Sequence, residues 1–209
     1  LICASNENKV LFDFFRTGTY DRNREFVLTA SPSMDILISS NLERLIYRIA
    51  GNDSGETAEL MGALNGAGKY EITEDMKSAL GDFYGNYATE AETEAEIRRL
   101  YEEWGYVIDT HTAVASAVYR KYRKETGDRT RTMIASTASP YKFAGSVMKA
   151  MGGAYEGEGV FTPVDALNRV SGVEIPGAVE ELRTAPVLHE RQCEAGEMKD
   201  VVRGFLGLQ

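Results

Sequence analysis

The sequence is poor in the side chains that hold metals and disulfides. Its 209 residues include two cysteines, Cys3 and Cys193, and two histidines, His111 and His189. The cysteines lie far apart and show no metal-ligand spacing, which argues against a disulfide framework and suits a reducing compartment. So few histidines argue against a histidine-rich metal site, and no metal ligand is assigned. Positive charge is also scarce, with 23 Lys and Arg against 32 Asp and Glu and a net charge of −9. Binding phosphates needs a concentrated basic face, so nucleic acid is not an expected partner. No apolar run approaches the ~20 residues of a membrane span, and no membrane partner is expected. The chain starts on Leu-Ile-Cys-Ala, with no initiator Met and no basic leader. That start reads as a strand entered in mid-course, in a piece of a longer cytoplasmic protein rather than a secreted one. GxGxxG, P-loop, GxSxG and HExxH motifs are missing too, which leaves the common nucleotide, hydrolase and zinc-protease readings without support.

What is present is a globular composition, 43% hydrophobic and 26% charged, with chain enough for a real core. Residues 1–4 read as a buried parallel strand, and a helix follows with Val10, Leu11, Phe14 and Phe15 on one face, Asn8 as its cap and Gly18 at its end. Residues 26–30 read as a second strand closed by Ser31-Pro32-Ser33. Ser40 with Glu43 reads as a capping box before Leu42, Leu45, Ile46 and Ile49, with Gly51 as the terminating glycine. A weaker helix is expected over 56–64, another around Met76 to Phe83 capped by Thr73, and one capped by Thr89 with Glu92. The carboxylates Glu90, Glu92, Glu94 and Glu96 on that last helix read as a solvated face. The α/β alternation then resumes: Asp109-Thr110-His111-Thr112 opens a helix ended by Gly127, residues 132–136 read as a strand, and 144–151 as the next helix. Thr162-Pro163 opens a short helix, and a final amphipathic one carries Met198, Val201, Val202, Phe205 and Leu206 on one face.

The fold class read from this order is α/β: a partial parallel sheet flanked by helices, with a mostly helical insertion. The expected divisions are an α/β segment over 1–51, the helical insertion over 52–105, a second α/β segment over 106–152, and a helical tail over 153–209. In such sheets ligands bind beyond the carboxyl ends of the strands. Three expected strand ends, Ser5-Asn6-Glu7-Asn8, Ser31-Pro32-Ser33 and Ser136-Thr137-Ala138-Ser139, are all rich in small polar groups. Thr137 is the hydroxyl best suited to meet a heteroaromatic nitrogen, since it carries no charge and can donate or accept. Ser139 suits capping as well. His111, near a helix start, either lines the site or is merely a polar residue beside a cap formed by Thr110 or Thr112. Lys142 shows neither the burial nor the cationic neighbour that a Schiff-base lysine needs.

Four stretches go further together: "ICASNENKVLFDFFRTGTYDRN", "TASPSMDILISSNLERLIY", "YVIDTHTAVA" and "ASTASPYKF". In this order they resemble the carboxyl-terminal half of threonine synthase, from Leu1 to about Met151, with a looser likeness in the tail. The resemblance implies the tryptophan-synthase-like fold (fold type II), pyridoxal 5'-phosphate as cofactor, and conversion of O-phosphohomoserine and water to threonine and phosphate. It places Thr137 at the pyridine nitrogen and Ser136 beside it, and Asn6 and His111 near the substrate. Ser139 stands where other members have His. The family's Schiff-base lysine and Gly-rich phosphate loop precede the region covered, so no catalytic residue is assigned and the chain alone is expected to be inactive. Self-association through apolar surface left bare is also expected. The alternative is a non-catalytic α/β ligand-binding or interaction domain using the same polar ends. A different fold-type-II enzyme, such as a dehydratase, fits less well with "SPSMDI" and "DTHTA".

Overall fold

Two strands about eighty residues apart build the central sheet of the computed structural model, which describes residues 1–208. β1 (Ile2–Ser5) runs parallel to β4 (Tyr84–Tyr87), with Ile2 opposite Tyr84 and Ser5 opposite Tyr87. Between them the chain forms α1 (Val10–Thr17), β2 (Thr19–Asp21), α2 (Leu42–Ile49), α3 (Ser54–Gly66), β3 (Lys69–Glu71) and α4 (Glu74–Ser78). β2 and β3 pair antiparallel as a separate ribbon. After β4 come α5 (Glu90–Trp104), α6 (Thr110–Thr126), α7 (Ala144–Ala150) and α8 (Thr162–Ser171). The described residues form two compact units, Leu1–Glu174 and the stretch from Ile175 onward. The second contains α9 (Gly177–Glu181) and α10 (Met198–Phe205).

The sheet of the first unit lies between α1 and α6, and side-chain alternation along the strands assigns its faces. Ile2, Ala4 and Tyr84 pack toward Val114, Ala117 and Val118 of α6. Gly85, one residue on, meets α1: a Cβ there would sit 2.7 Å from Cβ of Phe15. Glycine is therefore what lets helix and strand approach so closely. On the other side of α1 a larger core gathers Val10, Phe14, Tyr20, Ile46, Tyr70 and Met76. Tyr20 and Tyr70 stack across the β2–β3 ribbon with centroids 5.4 Å apart.

Several helix ends follow the sequence reading. Gly18 and Gly127 close α1 and α6 in the left-handed conformation, Thr73 caps α4, and Thr89 with Glu92 forms the full capping box of α5. Others differ. α2 starts at Leu42 after Asn41, and no side chain caps it, so the Ser40–Glu43 box does not form. Asn8 does not cap α1; Lys9 occupies that place, and the Asn8 amide reaches a neighbouring loop. Asp109, not Thr110 or Thr112, caps α6.

Two expected strands are not strands. In residues 26–30 the backbone bonds to side chains instead of a ladder: Val27 donates to Asn8 Oδ1, Thr29 to Asp35 Oδ2 and Ala30 to Glu90 Oε2. Residues 132–136 have no ladder partner either, and Met133 is 97% exposed. Of the three polar segments, only Ser5-Asn6-Glu7-Asn8 follows a strand. The stretch 52–105 is mostly helical, yet it also holds β3 and β4, so the partner of β1 comes from within it. The carboxylates of α5 are not a solvated face, because α6 and α7 bring cations to them: Arg120 to Glu96, Lys121 to Glu92 and Lys149 to Glu94.

Candidate functional site

A cleft of about 950 Å³ opens beside β1 and the start of α6, and Ile2, Ala4, His111, Thr112, Thr137 and Lys142 are among its lining residues. The backbone carbonyls of Leu1 and Ser5 accept from Tyr84 of β4 and from Ala88 just past it. In a parallel ladder the backbone groups of alternate residues point to opposite edges, so those of Ile2 and Ala4 point away from β4. Among the described residues no strand pairs with that edge.

Behind the cleft residues His111 and Thr112 lies a buried carboxylate. Asp109, 1% exposed, caps α6 by accepting from the backbone N–H groups of His111 (2.8 Å) and Thr112 (3.3 Å). The same Oδ1 lies 3.2 Å from Nδ1 of His111. On the other side of the ring, Nε2 accepts from the backbone N–H of Ser33 at 3.1 Å. An acceptor at Nε2 and a carboxylate at Nδ1 together require the proton on Nδ1. The ring also packs on Phe143, centroids 5.3 Å apart.

The second oxygen of Asp109 accepts the Thr112 hydroxyl in a very short bond, and Thr112 Oγ1 lies 2.8 Å from Ser136 Oγ. A hydroxyl has one proton. Thr112 gives its proton to Asp109, so Ser136 must be the donor in the second bond. Thr137, next along, is exposed and lines the cleft with a hydroxyl that no protein group engages among the described residues. Lys142 reaches Ser33 Oγ at 3.3 Å and is exposed.

Asn6 sits elsewhere. It is 1% exposed and does not line the cleft; its Nδ2 meets Thr29 Oγ1 at 2.9 Å and Asp35 Oδ1 at 2.7 Å, while its Oδ1 accepts from Asn8. Together these side chains fix the loop that presents Ser33 to His111. Near that loop, burial pushes the Glu90 carboxyl up, against the Ala30 N–H that pulls it down, and Glu7, Glu94 and Asp35 add to the rise. The structure thus brings His111 and Thr137 to one cleft, holds Ser136 against the cleft residue Thr112, and leaves Asn6 beneath its loop. Sequence reasoning missed Asp109 and Ser33. Asp is as good an N-cap as Thr, so the Asp-x-His spacing was the available signal for the first. The Ser33 contact uses a backbone N–H and leaves no trace in residue type.

Pyridoxal phosphate can be tested against these residues. An unengaged hydroxyl on a roomy, partly apolar cleft fits a ring-nitrogen partner, and His111 and Lys142 give polar groups at the same mouth. Among the described residues of the first unit, no lysine of the cleft is buried as an anchoring lysine would be, since Lys142 is exposed. No group of His, Cys, Asp and Glu that could hold a metal occurs among the described residues.

Known proteins of one family match this chain in sequence and in fold. Residues 112–186 match the family model described as threonine synthase, C-terminal. Human threonine synthase-like 1 is 41% identical over 152 residues, which cover 72% of this chain and 20% of that protein. Threonine synthase of Methylobacillus glycogenes is 35% identical over 160 residues, 73% of this chain and 32% of that protein. The chain therefore spans about a fifth to a third of the length of these curated relatives. Among solved structures, yeast threonine synthase aligns over 99% of this chain and 42% of its own, with a TM-score of 0.79 and 26% identity. A PLP-bound threonine synthase from Brucella melitensis aligns over 80% and 35%, with a TM-score of 0.67 and 34% identity.

Proposed function

From a chain that matches the carboxyl-terminal portion of threonine synthases in sequence and fold, we propose that it forms part of a cytoplasmic, pyridoxal-phosphate-dependent threonine synthase acting on O-phosphohomoserine. The observation that carries the reading is the free Thr137 hydroxyl on the cleft, beside a serine whose own proton is already committed. When bound, the cofactor supplies an electron sink for carbanion chemistry next to the substrate's carboxylate carbon.

The residues of this chain then take distinct roles. Thr137 holds the ring nitrogen as a neutral partner, which leaves that nitrogen less firmly protonated than a carboxylate would. Ser136, a donor to Thr112, keeps lone pairs that can only accept. His111 turns an edge toward the mouth where substrate enters, with Lys142 close by as a cation for the substrate's phosphate. Asn6 acts at one remove, by holding the 29–35 loop that carries Ser33. Nothing in this set replaces a covalently anchoring lysine, so the chain by itself does not turn over.

Spectrophotometry and phosphate release test this. Pyridoxal phosphate added to the chain is expected to give no dialysis-stable visible band and no phosphate from O-phosphohomoserine. A longer form of the protein that includes the missing anchor is expected to give both, and Thr137→Val in that form to lower kcat by at least about tenfold. A stable band with turnover from the chain alone would overturn the inactivity. A longer form that binds the cofactor but leaves O-phosphohomoserine untouched would favour a non-catalytic or different role.

A further inference from the structure

The residues on both sides of the cleft hang from one carboxylate. Oδ1 of Asp109 meets Nδ1 of His111, whose Nε2 accepts from Ser33 N–H on the loop after Pro32. Oδ2 accepts from Thr112, whose oxygen accepts from Ser136, the neighbour of Thr137. We propose that Asp109 is a positioning residue that sets the His111 tautomer and, through a Thr112–Ser136 relay, holds Thr137 in place. This rests on reading the cleft as the cofactor site only where Thr137 is concerned; the tautomer and the relay stand on the geometry of the chain itself.

The proton order gives the relay a direction. Asp109 as a carboxylate can only accept, so Thr112 must donate to it, and Ser136 must donate to Thr112. Each proton is thereby fixed, and Ser136 has none left for a ligand. The one uncommitted hydroxyl proton along 136–137 belongs to Thr137. Replace the carboxylate with an amide, and the amide N–H₂ can face Thr112. Thr112, which already accepts from Ser136, then accepts from the amide as well, and its own proton loses Asp109 as acceptor, so the fixed proton order of the relay is gone. The His111 branch obeys the same logic. The anionic partner favours Nδ1–H, and the Ser33 N–H can approach only a bare Nε2. Protonation at Nε2 would place two donors face to face and detach the Ser33 loop. Asp109 and Lys142, through Ser33 Oγ, are the charged groups around this ring, and Phe143 covers it.

Asp109→Asn keeps an N-capping oxygen, so α6 is expected to form. The test is ¹⁵N-detected histidine NMR and backbone ¹⁵N relaxation on the chain without cofactor; with only two histidines, assignment is direct. At mildly alkaline pH the wild type is expected to show His111 with Nδ1 protonated and Nε2 bare. Asp109→Asn is expected to shift that tautomer ratio by about tenfold, the difference between a charged and a neutral acceptor. Thr112→Val is expected to leave the tautomer alone. It should lower the backbone order parameters of Ser136 and Thr137 from about 0.85 toward 0.6. A wild-type His111 protonated on Nε2 overturns the proposal without any variant. Unchanged order at 136–137 in a folded Thr112→Val overturns the relay, which covers the case in which Asp109→Asn does not fold. Since none of these signals needs pyridoxal phosphate, their failure and failure of the proposed reaction are separately visible.

Discussion

Glu96 carries a charge into the interior of the α5–α6 contact with a side chain only 1% exposed. Its two oxygens take Arg99, Arg120 and Ser116 at 2.7 Å each. Burial pushes the carboxyl up, but the bonds from Arg99, Ser116 and Arg120 outweigh it and hold the group below the usual carboxylate range. A carboxyl lowered on folding adds stability above its unfolded range, near 4.3, and that contribution is lost as pH falls through the folded value. Glu96→Gln keeps the shape and removes the charge. It is expected to cost about 1–3 kcal/mol at neutral pH, less than a wholly buried pair because Arg120 is half exposed. Urea midpoints for the variant and the wild type should converge as pH is lowered below the unfolded carboxylate range, near 4.3; a constant gap across that range would assign the cost to packing. The sequence made Glu96 look like one of four solvent-facing carboxylates on a helix. What distinguishes it lies on another element, Ser116 and Arg120 of α6, and no spacing within α5 reports that. By contrast, Thr137, read from its neighbours in sequence as facing a ligand, does line the cleft, although the strand expected before it does not form.

At the scale of elements, helices with long apolar periodicity were legible and short strands were not. α5 and α6 announce themselves through a capping box, a left-handed terminal glycine and a repeated apolar face. β4 reads Tyr-Gly-Asn-Tyr, with neither alternation nor a branched aliphatic residue, and only its pairing with β1 makes it a strand. The reverse error, at residues 26–30, came from good strand formers whose backbone was claimed by Asn8, Asp35 and Glu90 instead of a neighbour strand. Glycines separate the two kinds of position experimentally. Gly85→Ala drives a Cβ into Phe15 and is expected to destabilise by about 1–3 kcal/mol. Gly62, exposed within α3, has open space around it, and Gly62→Ala is expected to stabilise by up to about 1 kcal/mol. Chemical denaturation of both reads the contrast as midpoints moving in opposite directions. If Gly85→Ala is neutral, the close approach of α1 to the sheet is wrong.

For the whole molecule, the decisive feature is surface that ought to be covered. The first unit leaves one edge of β1 unpaired and exposes Leu1, Leu28, Trp104 and Met133, with Met133 almost wholly in water. Unpaired strand edges and exposed apolar groups both promote association, the first by backbone pairing and the second by burial. No helix among the described residues is long and apolar enough to cross a membrane. Concentration-dependent self-association is therefore expected, seen in light scattering as a mass that rises with dilution reversed. The two causes separate on a single substitution. Met133→Lys removes the most exposed apolar side chain from the cleft wall without touching the β1 edge. If apolar burial drives association, the variant shifts the midpoint concentration upward by about tenfold, in line with about 1–2 kcal/mol for a methionine left in water. If edge pairing drives it, Met133→Lys leaves the midpoint where it was. A monomer at every concentration in the unmodified chain would mean that neither surface is sticky enough to matter, and that the cleft beside β1 is open to a ligand from the start.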